Sequence, residues 1–199
     1  MNTLQDLIKK YAAQYKEQVV AWRRHIHSHP ELSGEEKNTS LFIQKILGEL
    51  GIPFVNDVSD YAVIGKIEGA HTGPVIALRA DIDALPIHEE TGLPFASQNK
   101  GVMHACGHDS HIAILLGAAA ILQSIKEQLH GTVKLVFQPS EEEALFPGAQ
   151  GIVDSGILDD VDEIYGLHVW PQLPVGTVGL KKGNLMAASD HFLVHIKGK

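Results

Sequence analysis

The amino-acid sequence predicts an α/β fold in which a mixed, mostly parallel sheet is layered between helices. Three observations predict it. Apolar stretches of strand length alternate with stretches of helical period. Three polar clusters each close a predicted strand: "RADID", "PSEEE" and the histidine of "EIYGLH". A hydrophobic content of 44% over 199 residues is ample for a core.

The elements follow in order. Leu4, Leu7, Ile8, Tyr11, Tyr15, Trp22 and Ile26 recur at helical spacing and predict a long first helix. It should stop before Pro30, because the residue preceding proline resists the α conformation. Thr39, Phe42, Ile43, Ile46, Leu47 and Leu50 mark a second helix, with Gly51 placed to cap it. "AVIGKI" (62–67) and "PVIALRAD" (74–81) read as strands. A loop rich in Pro, Gly and Asn follows, and "CGHDSHIAILLGAAAILQSI" then opens a long, largely buried helix. "GTVKLVFQ" (131–138) is a strand, "GAQGIVDSGIL" a short helix and "EIYGLHV" (163–169) a strand. "GTVGLKK" and "HFLVHIKGK" are expected to add two more.

Composition narrows the function. The net charge of −8 carries no Lys/Arg cluster, which disfavours nucleic acid as a partner. The N-terminal stretch is punctuated by Asp6, Lys9, Lys10 and Glu17, and lacks the apolar run of a signal peptide. The longest apolar run, 112–122, is too short to span a bilayer. One cysteine cannot form an intrachain disulfide, so a reducing cytoplasm is the expected compartment.

That cysteine, Cys106, sits in "MHACGHDSH" among His104, His108, Asp109 and His111. In an open α/β sheet, ligands bind in the crevice beyond the carboxyl ends of the strands. Asp81, Asp83, Glu141, Glu142 and His168 all fall there. Cys106 and His108 join them if the loop from 82 to 105 returns to that edge. A helix N-terminus would also favour the thiolate. Thiolate, imidazole and carboxylate together are the donor set of zinc, manganese, cobalt or nickel. Glu141 and Glu142 repel each other unless a cation lies between them. One can bind metal while its neighbour works as general base.

Each cluster has a plainer reading. A lone Cys before a buried helix is often core, a run of glutamates is often a solvated loop, and aspartates at strand ends can cap turns. A single histidine at a strand end is more often hydrogen-bonded than a ligand. Their concurrence at matching ends of elements favours a metal site. His25, His27 and His29 alternate at period two on a helix, which does not align side chains, and are read as structural. His71 and His88 read as surface loop residues, and His191 and His195 lie on a predicted strand without partners. His104 and His111 stand close to the cluster, either supporting ligands or serving structure alone.

"RRHIHSHPELSGEE", "LRADIDALPI", "MHACGHDSH", "FQPSEE" and "GLHVWP" occur in that order. Together they resemble the amidohydrolase branch of the di-metal aminoacylase and carboxypeptidase-G-like family, which includes hippurate hydrolases and auxin-conjugate hydrolases. The resemblance runs from about Trp22 to the end of the chain. It implies a three-layer, zinc-aminopeptidase-like fold, two divalent ions (Mn, Zn, Co or Ni), a small N-acyl amino acid as substrate, and a homodimer. It assigns Cys106, His108, Glu142 and His168 as metal ligands, with the thiol between the ions. Glu141 becomes the general base and Asp83 the residue that orients a neighbouring ligand. Asp81 stands where the wider family has a histidine, so its role stays open.

The resemblance also implies an incomplete chain. Residues 1–187 would be the N-terminal part of the catalytic domain, and 188–199 the first strand of a lid or dimerisation domain. A further histidine ligand and the lid would lie beyond, leaving sheet edges exposed and this chain alone with little or no activity. Two other readings compete: a cysteine-nucleophile hydrolase, and a degenerate, non-enzymatic remnant on the same fold.

Overall fold

The computed structural model describes residues 3–143, 148–187, 192 and 194–198. Two units divide the chain, Met1–His168 and Val169–Lys199. The first unit contains α1 (Leu4–Ser28), α2 (Lys37–Glu49), β1 (Phe54–Val55), β2 (Val63–Glu68), β3 (His71–Asp81), α3 (His108–Ser124), β4 (His130–Gln138), α4 (Gly148–Asp154) and β5 (Glu163–Gly166).

Helix boundaries follow local chemistry. Thr3 and Asp6 form a reciprocal capping box at the start of α1. The helix ends at Ser28, ahead of Pro30 as expected. Gly51, just past α2, takes φ 67°, the left-handed conformation that terminates helices. Gly107 precedes α3 at φ 89° and so turns the chain sharply between Cys106 and His108.

The sheet order is β1-β2-β4-β3-β5. β4, β3 and β5 run parallel, while β2 joins β4 and β1 joins β2 antiparallel. Adjacent strand residues go to opposite faces, and two cores record this period of two. Val63, Ile67, Ala80, Leu135 and Phe137 meet Trp22, Ile43, Leu47 and Leu116 from α1, α2 and α3. Ile64, Ala77 and Val136 face the other way, onto Ile152 of α4, with Ile157, Leu158 and Val161 packed against them. Helices therefore cover both faces, giving the three layers the sequence implied.

Two expectations are corrected. His71 opens β3 and is no loop residue; its ring lies against that of His130, its register partner on β4. "GTVGLKK" forms no strand: Val178 and Leu180 are exposed and pair in no ladder among the described residues, and a strand without a partner has no place for its backbone groups. "HFLVHIKGK" lies partly outside the described residues, and its described positions, His195 among them, are not strand. No described helix is long and apolar enough to cross a membrane.

Candidate metal centre

The parallel register builds the site. Asp81 on β3 lies opposite Gln138 on β4, and Arg79 lies opposite Gly166 on β5. "RADID", "PSEEE" and His168 therefore leave the sheet side by side. The loop between β3 and α3 does return, because Leu85 and Met103 exchange backbone hydrogen bonds of 3.0 Å. This brings Cys106 and His108 to the same edge. All six residues assigned catalytic or ligating roles lie in this unit, and five of them fall into two sets of converging donor atoms: Cys106, His108 and His168, and His108, Glu141 and Glu142.

His108 is the hub. It is buried, and its Nδ1 lies 2.9 Å from the Asp83 backbone carbonyl and 3.2 Å from Asp83 Oδ1. Both oxygens can only accept, so Nδ1 carries the hydrogen and Nε2 presents its lone pair to the site. That Nε2 is buried with no hydrogen-bond partner. It faces Asp81 Oδ2 at 3.6 Å and Glu141 Oε2 and Glu142 Oε1 at 3.8 Å each. An unpartnered buried nitrogen facing three carboxylates is a place for positive charge. On this ground the donor set fits a divalent cation.

Cys106 Sγ lies 3.3 Å from His168 Nε2. Burial, the Glu142 hydrogen bond and the charges of Glu142, Glu141 and Asp81 push its thiol up to about 12. The helix N-terminus does not produce a thiolate here: burial first, and then the neighbouring carboxylates, hold the thiol protonated. Burial and the Asp81 and Glu142 charges raise the Glu141 carboxyl above its ordinary range.

Asp81 forms a third set of converging donor atoms with His108 and His111, and both of its oxygens are also held. Oδ1 accepts from His111 Nδ1 at 2.5 Å, and Oδ2 accepts from Arg79 Nη1 at 2.7 Å. Burial works against ionisation, but the His111 bond and the His108 and Arg79 charges hold its carboxyl at about 2. Arg79, not singled out from the sequence, sits two residues earlier on the same face of β3; that spacing was the available signal. His111 supports Asp81 from α3. His104 is buried with both nitrogens unpartnered, and burial drives its pKa down to about 4.

Behind the site, His27 proves structural, as expected. Its Nδ1 donates to Asp109 Oδ2 at 2.8 Å, and its Nε2 faces Glu89 at 3.2 Å. Arg23 Nε also donates to Asp109, at 2.6 Å. This network ties α1, α3 and the long loop together. The Asp109 hydrogen bond raises the His27 pKa against burial, with Glu89 adding to it. A raised histidine stabilises fully below its unfolded value of about 6.5, and that contribution is lost as pH rises through the folded value. His27→Gln should therefore flatten the fall in urea midpoint as pH rises above about 6.5 relative to wild type. Identical slopes would show that His27 does not carry the linkage.

Fold and site together define a class: an α/β protein with a thiol–imidazole–carboxylate centre at the carboxyl end of its parallel strands. Comparison with known proteins gives the family. Residues 77–194 match the model of peptidase family M20/M25/M40, and the chain belongs to that family. It is 52% identical to an N-acetyl-L-cysteine deacetylase of Bacillus subtilis, over 92% of this chain and 44% of that protein. It is 44% identical to an N-acyl-L-amino acid amidohydrolase of Geobacillus stearothermophilus, over 96% and 52%. Among solved structures it resembles the Bacillus subtilis YXEP protein, described as a dinuclear metal binding peptidase of the M20 family. That match has a TM-score of 0.80 and 46% identity, and covers 88% of this chain and 48% of that one. The chain spans about half the length of the curated relatives it matches.

Proposed function

We propose that this chain carries the metal-binding part of an enzyme that hydrolyses the amide bond of N-acyl amino acids, releasing a carboxylate and a free amino acid. The observation that carries the reading is His108 Nε2, buried, unpartnered and ringed by donors. Cys106, His108, Glu142 and His168 would hold two divalent ions (Zn, Mn, Co or Ni). The substrate class comes from the relatives, an N-acetylcysteine deacetylase and an N-acyl amino acid amidohydrolase among them.

Bound ions would supply Lewis acidity, polarising the amide carbonyl and acidifying water. The chain's own residues do the rest. Glu141 takes a proton from the attacking water and returns it to the leaving nitrogen; its raised pKa suits both directions. Asp83 fixes the tautomer and orientation of His108. Asp81 is held by Arg79 and His111 beside His108. A thiol pushed up to about 12 is a poor free nucleophile, which counts against a cysteine-hydrolase reading.

In this reading residues 1–187 form the first part of the catalytic domain, and 188–199 open a lid or dimerisation domain of a homodimeric enzyme. The test is amine release from N-acetyl amino acids. It is run on this chain and on the chain extended to the length of its relatives, with and without a chelator. Metal-dependent release by the extended form is expected. Release that persists after metal removal would sink the reading.

A further inference from the structure

Glu36 belongs to the "SGEE" stretch, which neither the ligand set nor the general base uses. Its side chain is fully buried at the N-cap of α2, yet it makes no cap hydrogen bond there. Instead it reaches across 104 residues of sequence. Its Oε1 accepts from the Ser140 backbone N–H at 2.7 Å and faces the Ser140 hydroxyl at 3.4 Å. Its other oxygen is buried with no hydrogen-bond partner, so the carboxyl reaches Ser140 through Oε1 alone.

Ser140 is the residue before the two functional glutamates, and it takes φ 50°, a left-handed conformation that residues with a Cβ avoid. Ser140 lies two positions beyond the end of β4, and the glutamates that follow it place carboxylate oxygens 3.8 Å from His108 Nε2. The turn is anchored again just beyond: Glu142 N–H donates to Asp83 Oδ2 at 2.9 Å, and Ser33 Oγ donates to the same oxygen at 2.7 Å. The stretch from Ser33 to Glu36 thus holds the glutamate turn directly through Glu36 and indirectly through Ser33 and Asp83.

We propose that Glu36 is a positioning residue: its buried Oε1 holds the Ser140 N–H and with it the left-handed turn that presents Glu141 as base and Glu142 as ligand. The proposal rests on the metal reading above. A packing or helix-capping role makes the opposite forecast for one substitution, since Asp is a better N-cap than Glu but is one methylene too short to reach Ser140.

The test titrates the purified chain with Co²⁺ and follows the thiolate-to-metal absorption from Cys106, in wild type, Glu36→Gln, Glu36→Asp and Glu36→Leu. Hydrogen exchange at the Ser140 amide is read alongside. Gln keeps the acceptor and should keep both affinity and protection. Asp and Leu should expose the Ser140 amide and weaken Co²⁺ binding by about 10–100-fold, the range for loss of a partner behind a ligand. Where Leu fails to fold, Asp decides. Folded Asp or Leu variants that bind Co²⁺ like wild type would overturn the proposal and leave the metal reading standing. A wild-type chain that takes up no Co²⁺ would remove both.

Discussion

Glu141→Gln is expected to lower turnover of an N-acyl amino acid by about 10²–10⁴-fold, the range for removing a general base, while bound metal stays unchanged. Glutamine matches glutamate in shape but cannot take a proton. Glu141 is the freer of the paired glutamates, with its side chain 40% exposed against 26% for Glu142. It can meet a substrate while Glu142 is tied through its backbone to Asp83. Burial and the neighbouring Asp81 and Glu142 charges raise its carboxyl toward the range where accepting and returning a proton are both easy. The check pairs amine release with elemental metal analysis on the extended chain. Full turnover by the variant would remove Glu141 from its role. Lost metal would make it a ligand instead.

Cys106→Ala is expected to abolish near-stoichiometric metal uptake, an effect larger than the roughly 10–100-fold cost of losing an orienting partner such as Asp83. The thiol is the donor that links His168 to the His108 group, lying 3.3 Å from His168 Nε2. Its surroundings are hostile to a bare thiolate and favourable to one paired with a cation. Burial and three carboxylates push the thiol up to about 12, and a dication offsets all of them. Elemental analysis of wild type beside the variant decides the matter. Equal metal content in both would show that the sulfur is bystander packing.

Much of the layout was legible in the sequence. Periodicity placed α1, α2, α3 and strands β2 to β4 within a few residues, because each buries a face whose pattern is local; β5, exposed along its whole length, showed only as a short apolar stretch. The rule that sites form at the carboxyl ends of parallel strands gathered Asp83, Glu141, Glu142 and His168 before any coordinates were needed. The two-residue β1 had no such signal, and "GTVGLKK" had the pattern of a strand but no partner to pair with. A strand is a property of two segments, and composition describes one.

The sequence by itself determined which donor types this protein carries and at which ends of which elements they stand. Only the tertiary structure decided what each donor is free to do. Asp81 and Asp83 look alike in "RADID", yet Arg79 and His111 consume the first, while the second is left to orient His108. Cys106 starts beside a helix dipole that favours its anion and ends among carboxylates that forbid it without a cation. Glu36, one glutamate in a run of two, reaches Ser140 across 104 residues. Protonation, hydrogen-bond partnership and reach depend on charges and dipoles within a few ångströms, and those neighbours come from parts of the chain that local sequence does not join.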